Sequence, residues 1–219
     1  GFPAVYNNNE VLSTRDDDYV IPSEEHYYPI YEEAGRLGVP IVLHACIKFP
    51  IRGFQFNRKS PTPVTDIYGM VYAGMELLDN LVTGGICETF PKTRFGIFEC
   101  GVGWVPTIVD RYHERMEKFG DMMRAHAPKM KLRAEEYIQR QVWFGFEPED
   151  RFVPDFIKWT QAPNRLLFSA DYPHLDYERG QLAAFLKRAD LTPEQRRLTL
   201  REAPLEFYRW EDTARPEIV

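Results

Sequence analysis

Short apolar runs recur along this chain of 219 residues, and most of them are followed directly by an ionisable side chain. Five runs have the length and composition of buried strands. They span residues 2–5, 40–43, 95–98, 142–146 and 166–170. Helical patterns separate the runs, so that strand and helix alternate along the chain. Such alternation predicts βα units and a parallel sheet, which is an α/β fold.

The ionisable residues that follow four of these runs are candidates for chemistry. They are His44, Glu99, Glu147 and Asp171. In α/β proteins the carboxyl ends of parallel strands meet at one edge, where ligands bind. Three of the four side chains can be anionic, and a buried cluster of that kind is costly unless a cation lies within it. Histidine with carboxylates suits one divalent metal, which we expect to be zinc, with iron and manganese as alternatives.

Each of these residues also has a structural interpretation. His44 can be a core histidine, and Glu99 can accept hydrogen bonds from backbone amides of the following turn. Glu147 can be a first-turn acid of the next helix, and Asp171 can cap a turn or a helix. His174 can lie at the surface, or it can hydrogen-bond the Asp171 carboxylate three residues before it.

Composition restricts the possible partners and the compartment. The formal net charge is −6 and hydrophobic residues make up 44% of the chain, which favours a globular protein and argues against nucleic-acid binding. No apolar run approaches the roughly 18 residues that span a bilayer, and no signal-peptide pattern is seen. Cys46, Cys87 and Cys100 are odd in number and lie in or near apolar segments. We therefore expect free thiols in a cytoplasmic protein with no membrane partner.

Four segments of the sequence, taken in order, resemble the amidohydrolase-related proteins, in the branch of aminocarboxymuconate-semialdehyde decarboxylase and the resorcylate-type decarboxylases. These segments are Val39–Ala45, Gly84–Phe95, Glu99–Pro106 and Leu166–His174. The resemblance extends from residue 1 to about residue 210. It predicts one barrel domain over residues 1–210 and a surface tail over residues 211–219.

The resemblance implies a metal-dependent, hydrolase-type (β/α)8 TIM barrel, with the first strands, about one to three, missing from this sequence. His44 matches the metal histidine after the fifth strand, and Asp171 matches the metal aspartate after the eighth. The family also has a His-x-His metal pair after the first strand, and this sequence contains none. The missing strands can precede this segment in the same gene, can come from a partner chain, or can be truly absent. The resemblance also suggests a homo-oligomer.

The activity implied is decarboxylation of a small unsaturated or aromatic carboxylic acid. Metal-dependent hydrolysis of a small carbonyl compound is the close alternative, because Glu99 stands near the place of a family catalytic histidine. A non-catalytic or incomplete subunit that completes a partner's barrel is the third reading. The residues expected to act are the catalytic Glu99, Asp171 and His174, the metal ligands His44 and Asp171, and the substrate-binding Arg52, Arg58, Trp104 and Tyr172.

Overall fold

A parallel sheet of five strands forms the framework of the structure, a computed structural model. The structure describes residues 4–8, 11–12, 19–20, 22–45, 62–173, 177 and 179–210. The strands are hydrogen-bonded in the order β1 (Val5–Asn8), β4 (Ile41–His44), β5 (Phe95–Phe98), β6 (Val142–Phe146) and β7 (Leu166–Phe168). A separate antiparallel pair joins β2 (Val11–Leu12) to β3 (Tyr19–Val20). The predicted parallel α/β sheet is confirmed, although β1 begins later and β7 ends earlier than the sequence indicated.

Helices connect the strands. They are α1 (Tyr28–Leu37), α2 (Thr62–Val82), α3 (Ile86–Thr89), α4 (Val105–His126), α5 (Ala134–Gln141), α6 (Val153–Thr160), α7 (Gln181–Leu186), α8 (Pro193–Arg197) and α9 (Ala203–Tyr208). A 3-10 turn (Glu25–Tyr27) precedes α1, and a π-helical segment (Leu198–Glu202) joins α8 to α9. The backbone of α4 leaves helical geometry at Phe119, and the helix resumes after this kink.

Local chemistry explains several helix ends. Gly38 closes α1 in the left-handed conformation (φ 69°), as expected for a glycine after a helix. Thr192 caps α8 by accepting a hydrogen bond from the backbone of Gln195. Ser23, a residue type that often caps helices, donates instead from Oγ to Asn80 Oδ1 over 2.6 Å. Ser23 therefore ties the start of this helical segment to α2 rather than capping it.

The sheet has two differently covered faces, because successive side chains of a strand point to opposite sides. One face carries Ile41, Phe95 and Phe144, which belong to the large hydrophobic core shared with the helices. The other, which we call the inner face, carries Val42, Trp143 and Leu167, which pack with Ala203 and Phe207 of α9. The last helix therefore covers part of the inner face.

Phe207 anchors α9 to this face. Its side chain is 0% exposed, and its ring centroid lies 5.3 Å from that of Trp143 and 6.0 Å from that of Phe98. A Cβ atom at Gly96 would lie 2.8 Å from the Phe207 ring, so this close approach requires glycine. Arg94, directly before β5, donates from Nε to the Phe207 carbonyl over 2.7 Å. The Phe207 carbonyl of α9 is therefore held at the amino end of the sheet.

Candidate functional site

His44 and Glu99 meet at the carboxyl ends of the adjacent strands β4 and β5. His44 shares the inner face with Val42, two residues before it. Its Nδ1 lies 2.8 Å from the Ala45 carbonyl oxygen. A carbonyl can only accept, so Nδ1 carries the proton, and the lone pair of a neutral ring is on Nε2. That Nε2 lies 3.8 Å from Glu99 Oε1, with both side chains partly buried.

Glu99 and Asp171 also share an unusual backbone conformation. The non-glycine residues with positive φ among those described are Glu99 (68°), Gln161 (54°), Asp171 (51°) and Arg209 (51°). Gln161 and Arg209 follow α6 and α9, where a left-handed residue commonly ends a helix. Glu99 and Asp171 follow strands instead. Backbone strain of this type clusters at functional sites, so it singles out two of the predicted site residues.

The strain at Glu99 gives a test of the local geometry. We expect Glu99→Gly to be more stable than Glu99→Ala by about 1 kcal/mol, because both remove the carboxylate and only glycine tolerates the left-handed region. Urea denaturation of the two variants measures the difference. The matched pair Glu147→Gly and Glu147→Ala should show the opposite order, since Glu147 has no positive φ. Greater stability of Glu99→Ala would contradict the geometry.

A cavity of about 210 Å³ opens beside Glu99 at the carboxyl ends of β5, β6 and β7. Its walls include both Glu99 and Glu147, together with Ser169 after β7. Helix α9 contributes Pro204 and Tyr208. The structure thus brings two of the predicted strand-end carboxylates to one small concave site. No strand-end pattern indicated the α9 residues, because they come from a helix far along the chain.

Asp150 performs two structural roles that had been open to Glu99 and Glu147. Its Oδ2 accepts a hydrogen bond from the Val102 amide over 2.7 Å, and its Oδ1 accepts one from the Phe152 amide over 2.9 Å. Asp150 therefore binds the backbone of the turn after β5. It also accepts a hydrogen bond from the residue that directly precedes α6. Glu147 lies in the wall of the cavity, outside the first turn of that helix.

Asp171 lies three strand spacings from His44, and its amide donates to Ser169 Oγ over 3.2 Å. At about 4.8 Å per spacing, three spacings measure about 14 Å along a flat sheet. A single ion could contact both residues only if the sheet curves toward closure. Tyr172, which follows Asp171, is 75% exposed, and its ring centroid is 5.1 Å from that of Tyr177.

Trp104 is placed away from the cavity. It is only 6% exposed, and its indole N–H donates to the carbonyls of Cys100 and Gly101, each over 3.0 Å. Its ring packs edge-on against Phe144 in the core between sheet and helices. The predicted stacking of Trp104 on a substrate does not fit this placement, which is structural. The apolar run around Val102 and Val105 was the available sign of burial.

The described cysteines are buried free thiols, as expected for Cys87 and Cys100. Burial raises the pKa of the Cys100 thiol to about 12, and it also raises the pKa of Cys87. Both thiols are therefore protonated at neutral pH, and neither is activated as a nucleophile.

Several predicted site residues lie outside the described residues. They are His174, Arg52 and Arg58; Cys46, expected to be a free thiol, also lies outside the described residues. Within the described part of the chain, no group of three or more histidine, cysteine or acidic side chains comes together as metal ligands. In the same part, no helix is both long and apolar enough to cross a membrane.

A parallel sheet with ionisable groups at its carboxyl edge defines an α/β protein of the class whose ligands bind at that edge. The chain belongs to the amidohydrolase family, whose model (Amidohydro_2: Amidohydrolase) matches residues 10–210. No curated protein matches the sequence.

Solved amidohydrolase-type structures share this fold at low sequence identity. A 2,6-dihydroxybenzoate decarboxylase from Rhizobium is 17% identical with a TM-score of 0.74. The match covers 95% of this chain and 62% of the decarboxylase chain. A dihydroxybenzoic acid decarboxylase from Polaromonas, solved with manganese and the inhibitor 2-nitroresorcinol, is 18% identical with a TM-score of 0.73, covering 95% and 61%. An amidohydrolase from Mycobacterium avium subsp. paratuberculosis is 15% identical with a TM-score of 0.73, covering 95% and 52%. The chain therefore spans about half to two thirds of their length, which agrees with the predicted partial barrel.

Proposed function

We propose that this chain forms part of the active site of a metal-dependent decarboxylase for a small aromatic or unsaturated carboxylic acid. The observation that carries the proposal is the His44–Glu99 pair, with 3.8 Å between Nε2 and Oε1 at adjacent strand ends. The pair lies beside a cavity that a small planar acid could enter. The decarboxylases of similar fold support the reaction type by analogy alone.

The donor atoms at this edge fit a divalent metal. The Nε2 lone pair of His44 is a donor of the kind that zinc, iron and manganese bind, and it lies 3.8 Å from Glu99 Oε1 at the same edge. We propose that His44 and Asp171 hold the ion, with zinc first and iron or manganese as alternatives. When bound, the metal would act as a Lewis acid that polarises a substrate oxygen or lowers the pKa of a bound water.

The residues of the chain would carry the remaining steps. Glu99, in its protonated form, would deliver its proton to the substrate carbon that bears the carboxylate. A π-electron pair of the substrate forms the new C–H bond; the bond to the carboxylate then breaks, its electron pair restores the π system, and CO₂ leaves. Arg52 or Arg58 would bind an anionic group of the substrate, and Tyr172 would stack on its ring. His174 would hydrogen-bond the Asp171 carboxylate.

Turnover of an aromatic acid tests this function. The protein supplied with zinc or manganese should release CO₂ from 2,6-dihydroxybenzoate or a related hydroxybenzoate. Glu99→Gln should lower kcat at least about 100-fold, because it removes the proton donor and keeps the shape. Glu149→Gln, an exposed carboxylate on the loop after β6, is the matched control and should keep its activity. Absence of CO₂ release from a panel of such acids, in protein that holds metal, would contradict the proposal.

Hydrolysis is the second candidate, and the position of Glu99 favours it. A carboxylate 3.8 Å from a metal-binding histidine can take a proton from a water that attacks a carbonyl carbon. The same protein would then hydrolyse small amides or esters and would release no CO₂ from hydroxybenzoates.

A subunit that completes a partner's barrel is the third candidate. Among the described strands, β1 and β7 lie at the two edges of the sheet and pair on one side only. Native mass spectrometry that shows a second polypeptide bound along these edges, with activity only in the complex, would favour this function.

A further inference from the structure

The amino end of the sheet, opposite His44 and Glu99, holds a strongly cationic cleft of about 520 Å³. Its lining includes Lys92, Arg94, Arg140 and Arg209, and within the described residues Glu206 is its sole carboxylate. We call this the basal cleft. Such an excess of positive charge in a concave site is unusual in a chain with a net charge of −6.

The carboxylates near the basal cleft are already engaged. Arg165 Nη1 binds Glu206 over 2.8 Å from the side of the sheet, and Arg140 Nη1 lies 3.8 Å from Glu88. Lys92, Arg94 and Arg209 form no ion pair with a carboxylate in the described part of the chain. Among the described residues, these three cations therefore share the cleft with one carboxylate, Glu206, which acts on Arg94 electrostatically and is bonded to Arg165.

Arg94 shows the electrostatic consequence. Its Nε and Nη2 donate to the backbone carbonyls of Phe207 and Gly38, which are neutral acceptors. Burial, followed by the nearby Arg209 cation, lowers the pKa of Arg94 to about 10. An anion in the cleft would offset both effects.

Trp143 provides a second, independent observation. This residue also lines the basal cleft and is 1% exposed. Its indole N–H is buried without an acceptor in the described residues. Buried donors are nearly always hydrogen-bonded, so this N–H is an unmet donor in a residue that forms part of the cleft wall.

We propose that the basal cleft binds a small oxyanion, the phosphate or carboxylate group of a small molecule. Arg209 and Lys92 supply charge, and Arg94 Nη1 supplies a hydrogen bond. Because Arg209 directly follows α9 while Lys92 and Trp143 belong to the sheet and its connections, the bound anion bridges the last helix to the sheet. Anion binding should therefore stabilise the folded protein.

Titration calorimetry of the 219-residue chain tests this site, with inorganic phosphate in one arm and citrate in the other, at matched ionic strength. We expect saturable one-site binding that raises Tm. Arg209→Gln and Lys92→Gln should each weaken binding about tenfold or more, because each removes a charged donor. Arg111→Gln, an exposed arginine of α4 paired with Glu114, is the matched control and should bind as the wild type does.

The two arms identify the ligand group. Tighter binding of phosphate assigns a phosphate-bearing ligand, and tighter binding of citrate assigns a carboxylate ligand; either result supports the site. Absence of saturable binding of both anions would overturn the proposal, as would wild-type affinity in Arg209→Gln. If circular dichroism shows that Arg209→Gln does not fold, Lys92→Gln, which lies in a turn outside α9, takes its place. Wild-type affinity for the anion in Lys92→Gln would then overturn the proposal.

Discussion

Replacing Phe207 with alanine should lower the free energy of unfolding by about 3–5 kcal/mol. The side chain is fully buried, and its ring contacts Trp143 and Phe98 across the inner face of the sheet. Removing it leaves a cavity that the rigid strand backbone at Gly96 cannot fill. Urea denaturation followed by circular dichroism measures the change.

The control for this prediction is Leu186→Ala on α7. Leu186 is 50% exposed, and we expect its replacement to change stability by no more than about 0.5 kcal/mol. If Phe207→Ala costs about as little as the control, then α9 does not anchor to the inner face in solution. The basal cleft, to which α9 contributes, would then lose its support as well.

The second large effect concerns metal. We expect His44→Ala and Asp171→Ala each to weaken metal binding at least about 100-fold and to abolish turnover with it, since losing even a residue that supports a ligand costs about 10–100-fold. Elemental analysis after dialysis, together with activity on the same samples, checks both losses.

His113→Ala is the matched control for the metal variants. His113 lies on α4, where its Nε2 is 2.7 Å from Glu135 Oε2, away from the carboxyl edge of the sheet. This variant should keep both metal and activity. Turnover retained in Asp171→Ala would remove Asp171 from the site, and metal retained in His44→Ala would do the same for His44.

The sheet could be predicted from the sequence because its strands are short, apolar and bounded by turn residues. The runs that became β5 and β6 have the observed limits, and β4 differs by one residue at each end. Helix ends were less predictable. Ser23 has the chemistry of a cap, but tertiary contact with Asn80 uses its hydroxyl instead. Likewise, the backbone of α4 leaves helical geometry at Phe119, but the helix continues to His126.

The candidate site could be predicted where it depends on strand register and not where it depends on long-range packing. His44 and Glu99 meet because β4 and β5 are neighbours in register. Trp104 follows a glycine-rich turn and suggested a ligand contact, but burial against Phe144 decides its role. Tyr208 lines the cavity because α9 packs against the sheet. No local sequence pattern indicates this long-range contact.

Metal content is the most direct test of whether His44 and Asp171 belong to a metal site. Elemental analysis of the purified protein, with native mass spectrometry of the same sample, measures the ion and the polypeptides that hold it. We expect about one equivalent of a divalent metal, with zinc, iron and manganese as the elements to quantify. Protein that stays free of metal after incubation with each of these ions, while remaining folded by circular dichroism, would contradict a metal-dependent function for His44 and Asp171.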